Sequence, residues 1–276
     1  MKKIAILPTL LTLGNAVCGF ASLAYASKIA ADGPYNAQYF TWSAWFIVAA
    51  MLFDALDGYA ARLAKTASEF GGQLDSLCDA ISFGAAPAFL LLRLGMEWEN
   101  PLMRRTIAAI AALYLVCALL RLARFNIENS PDPNSHKRFK GLPSPAAAGC
   151  VVSLALLRGE PLLRSDPENN WMGLNTDLMH QVVNFWAPVG TLMVALLMVS
   201  RFSYPHLTQR LLRGRRRFNY VVQIVVIVFT LALFRELAVV LSFWVYALSA
   251  PLGYGLSRVL RGQANAPPFL EERLPR

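Results

Sequence analysis

Cysteine and histidine are scarce in this sequence of 276 residues, which contains four cysteines and three histidines. Each cysteine lies alone in an apolar run, so the spacing indicates neither a thiolate metal site nor a disulfide framework. The histidines fall in predicted loops and form no cluster of metal ligands. Internal repeats and interdomain linkers are missing too. These absences exclude a disulfide-stabilised fold and a Cys/His metal centre, and they favour one domain.

Apolar residues are abundant by contrast, at 56% of the chain, and the mean hydropathy is +0.42. The core of a soluble protein of this length needs fewer apolar residues. Apolar runs near the length of a bilayer crossing lie at 8–27, 39–61, 72–94, 106–123, 145–157 and 182–200. A further run at 219–257 is interrupted by Arg235 and Glu236, which predicts two short helices joined by a tight turn.

We therefore predict an all-α fold, a polytopic integral membrane bundle of about eight transmembrane helices. A single membrane-embedded domain is expected over residues 1–262, with core helices at 8–200 and two extra short helices at 219–257. The polar stretch at 158–181 is predicted to be an external loop, and residues 263–276 a flexible cytoplasmic tail.

Basic residues exceed acidic ones, and the formal net charge is +9. Most basic residues lie in alternate loops, which predicts that both termini face the cytoplasm. Lysines and arginines beside apolar spans contact anionic lipid head groups, so the charge does not indicate a nucleic-acid partner. The N-terminal run also resembles a cleavable signal peptide, with Ala24-Tyr25-Ala26 as the cleavage motif. Pro8, Asn15 and the later spans favour an uncleaved first helix.

Four acidic side chains in the second and third apolar runs are the main functional signal. Asp54 and Asp57 share a face of about 100° with Gly58, at 100° per residue of helix. On the next run, Asp75 and Asp79 continue the face begun by a glycine at position 71. Acidic residues at membrane depth are costly and mark functional sites.

These four carboxylates, brought together by two adjacent helices, require a cation to stay ionised. Hard oxygen ligands suit Mg²⁺ or Mn²⁺, and four acids are enough to hold two such ions beside phosphate oxygens. Two metals clamping a phosphate is the arrangement used for in-line phosphoryl displacement. Arg62, at the end of the second run, adds a fork of donors for phosphate.

The spacing Asp54-x2-Asp57-Gly58-x2-Ala61-Arg62-x8-Gly71-x3-Asp75-x3-Asp79 matches, without a departure, the signature of the CDP-alcohol phosphotransferase family. This resemblance implies that family's fold and a membrane enzyme, usually a homodimer. Members move a phosphatidyl-type group from a CDP-linked lipid to an alcohol and release CMP.

Further segments resemble the bacterial phosphatidylserine synthases within that family. They are Pro8 to Asn15 with Cys18-Gly19-Phe20, Asp75 to Pro87, Arg121 to Asn126, and Lys140 to Pro145. The likeness covers about residues 5–150. It implies transfer from CDP-diacylglycerol to the hydroxyl of L-serine, in phospholipid biosynthesis at the bacterial inner membrane, with the active site on the cytoplasmic side.

The resemblance also assigns roles. Asp54, Asp57, Asp75 and Asp79 are implied metal ligands, and Asp79 is implied to be the general base as well. CDP-diacylglycerol would contact Gly58, Arg62, Ser68 and Gly71, with Thr12 and Asn15 completing the nucleotide pocket from the first helix.

The acceptor pocket is predicted from position and charge. Serine carries a carboxylate and an ammonium, so its pocket needs a cation and an acceptor. Arg121, Arg124, Asn126, Lys140 and Ser144 lie on the correct side of the membrane. Each cation among them also has an ordinary explanation as a residue of a positive cytoplasmic loop.

Two alternatives remain open at the level of sequence. In the first, the reaction is the same but the acceptor is glycerol 3-phosphate or inositol phosphate, whose extra phosphate demands a more basic pocket. Alternatively, the acids line a cation pathway in a transporter, as intramembrane carboxylates often do.

Overall fold

The computed structural model describes residues 6–30, 36–64, 69–128, 141–158, 176–200, 202, 204 and 235–264. The regular elements in these ranges are helices: α1 (Ile6–Ser27), α2 (Asn36–Ala64), α3 (Glu69–Asp79), α4 (Ala86–Leu94), α5 (Pro101–Glu128), α6 (Ser144–Arg158), α7 (Thr176–Val199) and α8 (Arg235–Ala264). A π-helical turn (Ala80–Ala85) joins α3 to α4, and a 3₁₀ turn (Gly95–Glu97) follows α4. The all-helical prediction is thus confirmed for the described residues.

Five helices in the described ranges are long and apolar enough to cross a membrane. They are Ile6–Ser27, Asn36–Ala61, Glu69–Leu94, Pro101–Ile127 and Gln181–Val199. Two shorter apolar helices, Ser144–Arg158 and Val239–Tyr254, correspond to the predicted runs at 145–157 and in the second half of 219–257. The predicted helix at 219–234 and most of the predicted external loop and tail lie outside the described residues.

Helix ends extend beyond the apolar runs that predicted them. The run at 106–123 becomes a helix from Pro101 to Glu128, because Asn100 Oδ1 accepts the backbone N–H of Leu102 at 2.9 Å and caps its first turn. Helix α7 begins at Thr176, inside the predicted external loop. Arg235 and Glu236, where a turn was predicted, lie in the first turn of α8, and the residues just before Arg235 are outside the described part of the structure. Hydrophobicity therefore located these helices, and a capping residue set the start of α5.

Helices α1 and α2 form an antiparallel hairpin. Asn36 closes the connection, since its Nδ2 donates to the Ala30 carbonyl at 2.5 Å and its Oδ1 accepts the Ala30 N–H at 3.1 Å. Within about two turns of the connection, the buried hydroxyls of Ser22 and Ser43 lie 2.9 Å apart. Small hydroxyl residues at the contact let the two backbones approach closely, as is common between membrane helices.

A single helix from residue 69 to 94 contains the π turn at its middle. The backbone N–H of Ala86 donates to Ile81 O, five residues back, which defines the π geometry. Tyr114 Oη on α5 donates to Phe83 O at 3.0 Å inside this turn. The widened turn is therefore stabilised by a neighbouring helix, and it begins directly after Asp79.

Helix α6 lies at the centre of the bundle. Residues 146–157 are all buried, and many of them are alanine, glycine or valine. The chain enters α6 through Gly141, whose φ of 95° favours glycine. Gly141 N donates to Phe202 O at 2.8 Å, and Leu142 N donates to Leu197 O at 3.1 Å. The entry to α6 is thus fixed against the end of α7.

Helix α8 packs on the middle of α6. A Cβ on Gly149 would lie 2.2 Å from the Phe243 ring, so glycine is required at this contact. Trp244 Nε1 donates to Ser153 Oγ at 3.0 Å. Tyr204, just after α7, donates from Oη to Ala247 O at 2.8 Å, and burial raises the pKa of its phenol to about 12, so it stays protonated as a donor.

Gly149→Ala is therefore expected to destabilise the protein by about 1–3 kcal/mol, because the added methyl group overpacks the α6–α8 contact. Thermal unfolding of the purified protein in detergent measures the effect. Gly253→Ala is the matched control, since no atom lies within 4 Å of the added Cβ on α8. An unchanged unfolding temperature for Gly149→Ala would contradict close packing of α8 on α6.

Candidate active site

Three of the predicted acids converge where α2 and α3 meet. One carboxylate oxygen from each of Asp54, Asp57 and Asp75 lies within 4.8 Å of the other two. Oxygens bound to one Mg²⁺ at about 2.1 Å lie at most about 4.2 Å apart. Small side-chain rotations therefore suffice for all three acids to ligate a single ion.

Two oxygens in this cluster are buried and have no hydrogen-bond partner: Asp57 Oδ2 and Asp75 Oδ1. A carboxylate oxygen removed from water is costly unless a donor or a cation compensates it. The donor set is made of hard oxygens, which suit Mg²⁺ or Mn²⁺. The three residues therefore fit a divalent metal ion.

Asp79 lies one helical turn beyond Asp75 and is buried, with 8% of its surface exposed. It is not part of the three-acid group, but it interacts electrostatically with Asp54 and Asp75. Its Oδ1 accepts a hydrogen bond from Asn15 Nδ2 at 3.0 Å. The fourth acid thus adjoins the cluster and has a partner on α1.

The two α1 residues predicted to complete the nucleotide pocket lie beside the acids. Thr12 and Asn15 are both buried and lie three residues apart on one helix face. The Thr12 hydroxyl donates to the Pro8 carbonyl at 3.0 Å and lies close to Asp57, and Asn15 Nδ2 donates to Asp79. Helix α1 therefore supplies one polar partner to an acid on each neighbouring helix.

The other residues predicted to bind CDP-diacylglycerol flank the acids. Gly58 follows Asp57 on α2 and is half-buried. Gly71 is half-buried one turn before Asp75. Arg62 lies in the last turns of α2, but its side chain is outside the described part of the structure, as is all of Ser68.

The predicted acceptor residues divide into two pairs and one residue outside the described ranges. Arg121 of α5 donates to the Oγ of Ser144, the first residue of α6. The same guanidinium interacts electrostatically with Asp79 and Asp54. Arg124 is half-buried on α5 and Asn126 is exposed near its end, whereas Lys140 is not described. Arg121 thus interacts both with Ser144 and with the acids.

Two further polar residues at this end of the bundle were missed by the sequence analysis. Ser76 Oγ donates to Asn126 Oδ1 at 2.9 Å and joins α3 to α5. Its position beside Asp75 was the signal available. Tyr246 of α8 interacts electrostatically with Arg121. No local pattern marks Tyr246, because it approaches the site only through the packing of α8.

The sequence model described as CDP-alcohol phosphatidyltransferase matches residues 5–187. That range contains the acid cluster, Thr12, Asn15, Arg121 and Ser144. The chain belongs to the CDP-alcohol phosphatidyltransferase family. The apolar helices and this family of membrane enzymes together indicate an integral membrane protein.

Relatives within the CDP-alcohol phosphatidyltransferase family carry related names. A CDP-diacylglycerol--serine O-phosphatidyltransferase of Helicobacter pylori is 34% identical over 208 residues, covering 75% of this chain and 74% of that protein. One of Bacillus subtilis is 31% identical, covering 72% and 90%. An archaetidylserine synthase of Methanothermobacter thermautotrophicus is 36% identical, covering 54% and 58%.

Proposed function

We propose that this protein transfers a phosphatidyl group from CDP-diacylglycerol to the hydroxyl of L-serine, giving phosphatidylserine and CMP in phospholipid biosynthesis. The observation that carries the proposal is the three-acid cluster of Asp54, Asp57 and Asp75, with Asp79 and Arg121 beside it. Family membership supports the reaction class. Relatives named CDP-diacylglycerol--serine O-phosphatidyltransferase support serine as the acceptor.

Asp54, Asp57 and Asp75, together with Asp79, would hold two divalent ions, Mg²⁺ or Mn²⁺. Bound ions would neutralise the pyrophosphate of CDP-diacylglycerol and align it for in-line displacement. The unpartnered oxygens of Asp57 and Asp75 support this assignment, because they are buried acceptors without a donor. Gly58 and Gly71 would let the nucleotide approach the backbone closely, and Arg62 and Ser68 would contact its phosphates.

Asp79 would act as the general base. It accepts the proton of the serine hydroxyl while that oxygen bonds to the phosphorus bearing diacylglycerol. The bond from this phosphorus to the bridging oxygen breaks, and CMP leaves with that oxygen. No covalent enzyme intermediate is required. Burial of Asp79 beside two other acids supports a role in proton transfer rather than in surface solvation.

Serine would bind between α5 and α6. Arg121 is suited to its carboxylate, since the guanidinium presents five donors and Ser144 takes one of them. The Asn126 amide oxygen and the Ser144 hydroxyl would accept hydrogen bonds from the ammonium. Arg124 and Lys140 lie nearby in sequence. The interaction of Arg121 with Asp79 supports a carboxylate site next to the proposed base.

Arg121→Lys is expected to raise the KM for serine about tenfold, because a bidentate fork becomes a point charge. The KM for CDP-diacylglycerol should change less than about twofold. Steady-state CMP release at varied concentrations of each substrate measures both. Arg104→Lys is the matched control, since Arg104 is exposed near the other end of α5. Equal changes in both constants would contradict a role in serine binding.

We further propose the membrane arrangement of the family for this chain. It comprises about eight spans in one domain over residues 1–262, followed by a cytoplasmic tail at 263–276. Both termini and the active site would face the cytoplasm, in the bacterial inner membrane, and the protein would form a homodimer. The distribution of basic residues in the sequence supports this orientation.

A CMP-release assay in detergent tests the proposed function. CDP-diacylglycerol is supplied with Mn²⁺ and serine, and each is omitted in turn. CMP release that requires both, with labelled serine incorporated into lipid, is the expected result. Release with glycerol 3-phosphate or inositol phosphate instead of serine would assign another acceptor. Ion flux in liposomes without CMP release would assign a cation transporter.

A further inference from the structure

Asn15, which was predicted to complete the nucleotide pocket, has an acid as its side-chain partner. Its side chain is fully buried, with 0% of its surface exposed. Its Nδ2 donates to Asp79 Oδ1 at 3.0 Å, across the α1–α3 contact. A buried carboxylate held by a neutral amide has one oxygen fixed by that donor. Asn15 therefore fixes the orientation of the Asp79 carboxylate.

The backbone of Asn15 is itself fixed by the π turn that follows Asp79. Ser82 Oγ donates to Asn15 O at 2.9 Å. A Cβ on Gly19 would lie 2.8 Å from Ser82 Cα. Only glycine at position 19 therefore permits this close contact between α1 and the π turn. Two hydrogen bonds thus join Asn15 to the segment Asp79–Ser82, one through its side chain and one through its backbone.

The other groups that interact with Asp79 do not supply this orientation. Asp54 and Asp75 are acids and repel its charged form, and Arg121 acts on it electrostatically while donating to Ser144. π-helical turns occur frequently at functional sites, where they redirect a side chain. Here the turn begins at the residue after Asp79 and contacts Asn15.

We propose that Asn15 is a positioning residue for Asp79: its amide holds one carboxylate oxygen and leaves the other directed at the serine hydroxyl. This inference rests on the proposed function, in which Asp79 is the base. It replaces the expectation that Asn15 contacts the nucleotide. Its effect on catalysis is exerted through Asp79 and not through substrate binding.

Loss of the amide is expected to lower kcat and leave substrate binding nearly intact. Misplacement of a reacting group by about 1 Å costs on the order of 100-fold in rate. For Asn15→Ala we expect a fall in kcat of about 100-fold, with changes of less than about twofold in the KM for CDP-diacylglycerol. Asn15→Ser keeps a hydroxyl that reaches Asp79 through one water in the vacated volume, and it should recover part of the lost rate.

The experiment measures kcat, both KM values, the affinity for CDP-diacylglycerol by calorimetry, and the unfolding temperature for wild type, Asn15→Ala and Asn15→Ser. Ser22→Ala is the matched control, because it removes a buried hydrogen bond from the same helix two turns away, between Ser22 and Ser43. The proposal predicts a loss confined to kcat, larger for alanine than for serine, with unfolding temperatures like that of the control.

Other outcomes overturn the proposal in distinguishable ways. Weakened CDP-diacylglycerol binding with unchanged kcat would identify Asn15 as a nucleotide contact. Equal loss in Asn15→Ala and Asn15→Ser, together with a lower unfolding temperature than Ser22→Ala, would identify a role in folding alone. In both cases wild-type CMP release with serine still supports the proposed function. Absence of that release from the wild type would overturn the function and this inference together.

Discussion

Asp75→Asn is expected to reduce CMP release by more than about 10³-fold, because it removes one charge from the three-acid cluster while preserving the shape of the side chain. Stabilisation by metal ions in phosphoryl transfer amounts to several kcal/mol, and each 1.36 kcal/mol corresponds to a factor of about ten in rate. The cluster brings Asp75 within 4.8 Å of Asp54 and Asp57, so each acid affects the same ion.

Two measurements separate this effect from misfolding. Binding of Mn²⁺, followed by electron paramagnetic resonance, should weaken in Asp75→Asn in parallel with the rate. Glu69→Gln is the matched control, since Glu69 is an exposed acid in the first turn of the same helix. Wild-type Mn²⁺ affinity in Asp75→Asn would show that the cluster does not ligate the metal.

Asp79→Asn should abolish most turnover and spare donor binding. Loss of a general base lowers kcat by about 10²–10⁴-fold. Asp54, Asp57 and Asp75 remain in this variant, so the affinity for CDP-diacylglycerol should stay close to the wild-type value. Single-turnover CMP release and calorimetric titration with CDP-diacylglycerol measure the two quantities.

The comparison with Asp75→Asn makes the assignment of Asp79 specific. Asp75→Asn should lose both metal affinity and rate, whereas Asp79→Asn should lose mainly rate. Full activity in Asp79→Asn would refute its role as the base. A loss of metal affinity as large as that of Asp75→Asn would show that Asp79 acts as a metal ligand and not as the base.

Helical periodicity was sufficient to predict the acid cluster. Asp54 and Asp57 on one helix, and Asp75 and Asp79 on the next, were expected to share facing surfaces, and the structure brings three of these four carboxylates together. The prediction succeeded because the positions depend only on 3.6 residues per turn and on a short connection between two helices. The five described helices long enough to cross a membrane were also predicted, since they depend on apolar length.

Contacts between elements distant in sequence were not predictable in the same way. The hydrogen bond from Asn15 to Asp79 depends on how far α1 slides along α3 and on the π turn at Ala80–Ala85. A pattern with a period of 3.6 residues contains neither quantity. Likewise the electrostatic interaction of Tyr246 with Arg121 depends on the packing of α8 on α6, where Gly149 admits the Phe243 ring.

The burial of α6 has a consequence for biosynthesis. A helix of 15 residues is shorter than the 20 or so needed to cross a bilayer alone, and its alanine and glycine surface is covered by α2, α7 and α8. Two of these covering helices, α7 and α8, are translated after it. We therefore expect the burial of this segment to be completed only when the C-terminal part of the chain has left the ribosome.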